Sequence, residues 1–244
     1  MKMKLTCAAW AALACVLAWA TVAVVAVPEQ GQDQPKIVAV PEQGQDQPKS
    51  VALPKPVTTG GKPLMEALKL RRSSREFSGR KLPDQVLSNL LWAAWGVNRP
   101  DSGKRTAPSA MNRQEIDVYV ATADGAYLYD AKANELKPVS AEDVRALTGR
   151  QPFVKDAPVN LIYVADLAKM RGPAEQKAMW AAADTGFIAQ NVYLFCASEG
   201  LATVVRGLVD KPALTKALKL RDDQMVILAH TVGYPKSPAP ATSQ

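Results

Sequence analysis

The sequence predicts an α+β domain in which a largely antiparallel sheet is covered by helices. Three observations carry this. Strand-like and helical runs mix between residues 63 and 232 without the strict βαβ alternation of a parallel sheet. Asp124-Gly125 separates Ile116-Asp117-Val118-Tyr119-Val120 from Tyr127-Leu128-Tyr129, the signal for a type I′ hairpin. Residues 174–199 form one long apolar helical run that stops at Gly200, a residue suited to the left-handed cap.

The elements follow in order. Pro63 to Arg72 reads as a helix with proline in its first turn. Pro83 to Gly96 is a second helix, with Leu87, Leu90, Leu91 and Ala94 at helical spacing and Gly96 as the stop. Arg99 to Pro108 is a long Pro/Gly/Ser loop, and the hairpin comes next. Ser140 to Leu147 is expected as a short helix, with Ser140 as N-cap and Asp143 at the capping-box position. Val159 to Val164 is a continuous apolar strand. In Ala174 to Glu199, Trp180, Ala183, Phe187, Leu194 and Ala197 share one face, and Ile188, Val192 and Phe195 another, so a buried helix is expected. Asp210 caps a helix reaching Leu220, and Met225 to Val232 is the last strand.

The domain does not begin at the first residue. Lys2 and Lys4 precede Leu5 to Val27, a run without a charge or a proline. That pattern reads as a signal peptide or an uncleaved membrane anchor, with small-x-small sites at Ala18-Trp19-Ala20 and Thr21-Val22-Ala23. Lysines before the run and acids after it place the remainder outside the cytoplasm by the positive-inside rule. Val25 to Lys36 then recurs identically at Val38 to Lys49, and a degraded third copy starts at Val51-Ala52-Leu53-Pro54. Its Pro, Gln and charge leave no face to bury, so residues 28–60 are expected to be a linker of about 30 Å root-mean-square span. The folded domain is expected at 61–236, followed by a disordered tail at 237–244.

Composition excludes several chemistries. A single histidine rules out a multi-His metal site, and Cys7, Cys15 and Cys196 form no metal-binding spacing. Cys196 lies in an apolar helical stretch and reads as a buried, inert thiol. His230, in the last strand, has no Ser or Cys partner and reads as a satisfied core or edge residue, so a hydrolytic triad has no support. The net charge of +7 is gathered at particular runs rather than along one face, which argues against a nucleic-acid binder.

Three runs could carry chemistry. Arg71-Arg72-Ser73-Ser74-Arg75 offers guanidinium forks and hydroxyls suited to a phosphate, although alone it equally suits a solvated basic turn. Arg105-Thr106-Ala107-Pro108-Ser109-Ala110-Met111-Asn112-Arg113-Gln114 could lay amides along a flat ligand edge, or be an ordinary loop. Gly200-Leu201-Ala202-Thr203-Val204-Val205-Arg206-Gly207 leaves a long helix and finishes extended at a glycine that permits close backbone approach.

Taken in order, Arg71–Phe77, Pro108–Gln114, Gly186-Phe187-Ile188-Ala189-Gln190-Asn191-Val192-Tyr193-Leu194, Gly200-Leu201 and Val232-Gly233-Tyr234-Pro235-Lys236 resemble the nitroreductase family of FMN-dependent oxidoreductases. Leu91-Trp92-Ala93-Ala94 with Arg105–Ser109 is most similar to the branch that contains azoline (thiazole/oxazole) oxidases. The resemblance implies that Arg71, Ser73 and Arg75 hold the FMN phosphate and ribityl chain, with Arg72 nearby and Lys236 closing over the phosphate. It implies that Pro108, Ser109 and Asn112 line the isoalloxazine, Asn112 often from the partner subunit. Backbone amides near Arg206 and Gly207 would reach flavin N5 and O4. It further implies a homodimer with FMN at the interface and the 174–199 helix at its centre. Where many relatives carry Pro-Trp after the glutamine, this chain has Glu115-Ile116, which leaves nicotinamide use open.

The expected function is an extracytoplasmic FMN oxidoreductase acting on a small organic substrate, with no side chain required as acid or base because the flavin carries the redox chemistry. The alternative is a tethered flavin-binding module for storage or sensing. Contact with a membrane is expected only through the N-terminal segment.

Overall fold

The computed structural model describes residues 49–236. The signal or anchor segment, the two identical repeats up to residue 48 and the tail at 237–244 lie outside the described residues.

The backbone of the domain is a seven-stranded sheet with order β1-β6-β5-β4-β7-β9-β8. Its strands are β1 (Val51–Ala52), β4 (Ile116–Thr122), β5 (Gly125–Asp130), β6 (Glu135–Ser140), β7 (Val159–Asp166), β8 (Ala202–Arg206) and β9 (Gln224–Gly233). Every pairing is antiparallel. A two-stranded ribbon, β2 (Val97–Arg99) with β3 (Lys104–Arg105), stands apart from it. Helices α1 (Leu64–Leu70), α2 (Asp84–Trp95) and α3 (Ala174–Glu199) cover one face, and α4 (Lys211–Ala217) helps to cover the other.

Both faces are apolar because both are covered. Side chains alternate along a strand. Val118 and Val120 of β4 therefore join Leu90, Leu91, Ile188 and Val192 in the core beneath α2 and α3. Tyr119 and Ala121 join Leu214 and Leu218 on the opposite side. Strand β7 is buried at all eight positions, which explains the apolar run Leu161–Ala165; Asn160, buried beside Val159, interrupts the longer apolar stretch the sequence suggested. Each fully buried leucine here contributes about 1.5–3 kcal/mol.

Several expectations hold closely. Helix α3 runs from Ala174 to Glu199, and Gly200 caps it at φ 69°, in the left-handed region. Asp210 caps α4 by accepting from the Ala213 amide at 3.1 Å. Cys196 is buried, and burial pushes its thiol up to about 12.

Four expectations are corrected. The helix at Ser140–Leu147 does not form. Glu135–Ser140 is strand β6, and a single 3-10 turn follows at Arg145–Thr148. Ser140 Oγ accepts from the Glu142 amide at 3.2 Å, closing a tight turn, while Asp143 is drawn into a 2.7 Å ion pair with Arg145. Pro138 disguised the strand. It is tolerated because β1 pairs only with Glu135 and Leu136, and because the register with β5 shifts there. The β4–β5 hairpin is present, yet it is not type I′. Thr122 pairs with Gly125, and of the turn residues only Gly125 has positive φ, at 134°.

The folded domain also begins before residue 61. Val51–Ala52 pairs with β6, and Leu53 is buried. The Leu53 amide donates to Asn134 O at 3.0 Å, Asn134 Nδ2 donates to Pro54 O at 2.9 Å, and the Val57 amide donates to Asn89 Oδ1 at 2.8 Å. Backbone groups thus dock a segment that has few apolar side chains to announce itself. Lastly, α3 is not buried all round in the single chain. Ala181, Ile188, Ala189, Val192 and Cys196 face the core, whereas Trp180 and Phe187 are 42% and 48% exposed.

Candidate functional site

The first and third runs come together at the free edge of β8. Leaving α1, residues 71–75 pass along that edge, and the Ser74 amide donates to Thr203 O at 2.9 Å. The closing segment lies beside them. Ser78 N donates to Tyr234 O at 2.8 Å, and Lys236 N donates to Glu76 O at 3.3 Å. Arg71, Arg72, Ser73, Arg75 and Lys236 are thereby brought to one region. Arg72, Ser73, Arg75 and Lys236 are exposed, and Arg71 is half-buried. Among the described residues, none of these four cations forms an ion pair. A cluster of unneutralised guanidiniums beside a hydroxyl is the donor set that a phosphate needs.

Tyr193, which the sequence reading did not single out, binds this cluster together. Its hydroxyl lies 2.9 Å from Ser73 Oγ and accepts from the Val205 amide at 3.0 Å. Its ring lies under the Arg71 guanidinium at 5.2 Å. On the outer edge of β8, Thr203 and Val205 are thus engaged, and the period of two presents Gly207 next on the same side. Gly207 is exposed, as close approach of a ligand to its backbone requires.

Arg206 points the other way. Its buried guanidinium donates to Thr148 O, to Asn160 Oδ1 at 3.0 Å and to Thr231 Oγ1 at 2.7 Å. Burial among these neutral acceptors lowers its pKa to about 10. The side chain is structural, which leaves only its backbone for a ligand. His230 is buried with Nδ1 3.0 Å from the Tyr163 hydroxyl, and burial, with Arg206 nearby, lowers its pKa to about 3. It is neutral and in the core, but Nε2 has no hydrogen-bond partner among the described residues, so the expected satisfied histidine is satisfied only at Nδ1.

The second run lies elsewhere in the same chain. Pro108, Ser109 and Asn112 belong to a loop joined to α3 near its middle, where Asp184 Oδ2 accepts from Ala110 N at 2.8 Å. Asp184 and Tyr193 are nine positions apart, about 13 Å along a helix. Met111, Asn112 and Gln114 hold φ of 52°, 53° and 49°, each costing about 1–2 kcal/mol in a non-glycine residue. The conformation persists because it is held at several points. Arg105 Nε donates to Gln114 Oε1 at 2.8 Å, the Gln114 amide donates to Ser109 Oγ at 3.0 Å, and Gln114 Nε2 donates to Gly103 O at 3.0 Å. A cleft of about 510 Å³, lined in part by Thr106, Trp92 and Asn191, adjoins this loop.

Glu115, beneath the loop, is fully buried, and neither carboxyl oxygen has a hydrogen-bond partner among the described residues. Burial first, and the Asp184 carboxyl second, raise its pKa to about 7. The sequence marked Tyr193 only as part of the Gly186–Leu194 motif and Glu115 only as a departure from relatives, and Asp184 not at all, because a polar residue within an apolar helix or at a strand start discloses its partners only after folding.

A helix-covered antiparallel sheet, with cations and a hydroxyl gathered beside its edge strand, defines the class of an α+β domain. Residues 68–234 match the sequence model of the Nitroreductase family, and the chain belongs to that family of oxidoreductases. A Methanocaldococcus jannaschii protein classed with the nitroreductases is 30% identical over 68% of this chain and 88% of its own length. The crystal structure of a Ralstonia eutropha JMP134 protein, also classed there, is 44% identical with a TM-score of 0.75, covering 79% of this chain and 92% of that one. The NADPH:FMN oxidoreductase of Vibrio harveyi shares the fold at 19% identity and a TM-score of 0.55, covering 74% of this chain and 72% of that one.

Proposed function

We propose that the protein is an FMN-dependent oxidoreductase that works outside the cytoplasm as a homodimer on a small organic substrate. The observation that carries the reading is the gathering of Arg71, Arg72, Arg75 and Lys236 near Ser73 beside the outward edge of β8, with no ion pair to a carboxylate among the described residues. The residues present fit FMN. Arg71, Ser73 and Arg75 would hold its phosphate and ribityl chain, with Arg72 and Lys236 close by. Pro108, Ser109 and Asn112 would line its ring, and the backbone at Arg206 and Gly207 would face the ring edge. Bound FMN would supply hydride or electron transfer through N5. The protein's own part is to bind, orient and stabilise negative charge with its cationic donors.

The homodimer is supported by the separation along α3. Two antiparallel copies of α3 about a two-fold axis would place the Asp184-anchored loop of one chain near the Tyr193-anchored cradle of the other. The faces left open in the single chain, Trp180 and Phe187 on α3 with Leu64, Met65 and Leu68 on α1, would be covered in the process. The extracytoplasmic location rests on the Lys2–Val27 pattern alone.

The test is the visible spectrum of the purified protein together with a titration by FMN. A flavin spectrum, or saturable binding, is expected. Arg75→Ala and Asn112→Ala should each weaken binding about tenfold, the value of one hydrogen bond to a charged or polar ligand group. A colourless protein that ignores added FMN overturns the reading.

A further inference from the structure

We propose that Tyr193 is a positioning residue that sets the preference of this site for a phosphorylated ligand. This rests on reading the Arg71–Arg75 cradle as a phosphate site. Tyr193 is 8% exposed and reaches the cradle from α3, beneath the ligand surface. Its hydroxyl oxygen accepts the Val205 amide, which can only donate. Its one hydrogen is then available to Ser73 Oγ at 2.9 Å. With that bond made, the Ser73 hydroxyl oxygen is occupied as an acceptor and its own hydrogen turns outward, where an anionic oxygen can accept it. The chain from Val205 N–H through the Tyr193 and Ser73 hydroxyls thus has one polarity when an anion is bound, and each bond strengthens the next.

The Tyr193 ring acts on the same partner from a second direction. Arg71 sits 5.2 Å over its face, a cation–π contact that limits where a flexible guanidinium can go. Arg71 and Ser73 are therefore held against β8 before any ligand arrives, and less ordering remains to be done on binding. Neither contact lies on the loop around Pro108, Ser109 and Asn112, so a flavin without the phosphate should lose less than FMN when they are removed.

The experiment compares wild type, Tyr193→Phe and Ser73→Ala by titration with FMN and with riboflavin, which lacks the phosphate, and by the thermal shift that inorganic phosphate produces. Tyr193→Phe should lose about tenfold in FMN affinity, lose distinctly less in riboflavin affinity and lose the phosphate-induced shift. Ser73→Ala should do the same, and the double variant should lose little more than either single one. Equal FMN affinity in wild type and Tyr193→Phe, or an equal loss for riboflavin, overturns the proposal while the FMN reading stands. A wild type that is stabilised by phosphate but binds no flavin, with the shift absent in Tyr193→Phe, removes the FMN reading and keeps the proposal. A wild type that responds to neither ligand removes both. Should Tyr193→Phe fail to fold, Ser73→Ala, altered only at an exposed hydroxyl, decides by the same FMN-to-riboflavin ratio.

Discussion

Asp184 Oδ2 accepts the backbone amide of Ala110 at 2.8 Å, tying the middle of the longest helix to the loop that carries three left-handed non-glycine residues. The bond is buried at the Asp184 end, where the residue is 1% exposed. Asp184→Ala should therefore destabilise the protein by about 1–2 kcal/mol, the cost of a part-buried donor left without its acceptor. Urea unfolding measures that loss. Hydrogen exchange should show the amides of residues 110–114 losing protection first, because the strain stored there is no longer opposed.

Glu115 makes stability depend on pH. Its pKa is raised from 4.5 to about 7 in the folded protein, so the folded state binds a proton that the unfolded chain releases. Burial raises it most; a backbone amide lowers it, Asp184 on α3 raises it, and Lys169, whose Nζ lies 3.4 Å from Gln114 O, lowers it. The contribution is fully present below pH 4.5 and is lost as the pH rises through about 7. It amounts to at most about 3.5 kcal/mol at roughly 1.4 kcal/mol per pH unit. Glu115→Gln, a neutral isostere, should abolish this part of the slope. Unfolding midpoints between pH 5 and 8 report it directly, and unchanged slopes in wild type and variant contradict it.

Arg206 is a structural residue despite its place in a run that suggests binding. Arg206→Ala should cost about 3 kcal/mol or more, since Thr148, Asn160 and Thr231 lose a shared donor in the interior. Arg206→Lys should recover only part, because a single ammonium cannot reproduce the spread of a guanidinium fork. Thermal unfolding of the two variants tests both statements.

If two chains associate through α3, a charge on its open face should separate them. Trp180→Glu with Phe187→Glu places two carboxylates where 42% and 48% exposed aromatics now stand. Sedimentation velocity is expected to show a dimer for wild type and a monomer for the variant. A variant that remains dimeric moves the interface elsewhere.

Much of the fold was legible because it rests on local rules. The bounds of α3 follow from apolar residues recurring at helical spacing after Pro173 and from Gly200, whose φ of 69° suits a glycine. The largely apolar character of Val159–Val164, broken only by Asn160, marked β7, although only the sheet order shows that both of its faces are covered. Strand β6 was not legible, because Pro138 argues against a strand until the shortness of β1 is known. The docking of Val51–Val57 was hidden for a related reason. It is recognised mainly through backbone groups by Asn134, Asn89 and Ser88, and backbone groups leave no trace in a sequence.

The candidate site divides in the same way. By itself the sequence determined which residues could meet a phosphate, because cationic forks and hydroxyls in Arg71–Arg75 are a matter of residue type. It determined the family resemblance for the same reason. Only the tertiary structure decided that Ser73 meets Tyr193 and Val205, that Arg206 turns inward, and that the Asn112 loop stands about 13 Å along α3 from the cradle. These outcomes depend on partners far apart in the chain, and such partners are chosen by packing the whole sheet and its helices at once.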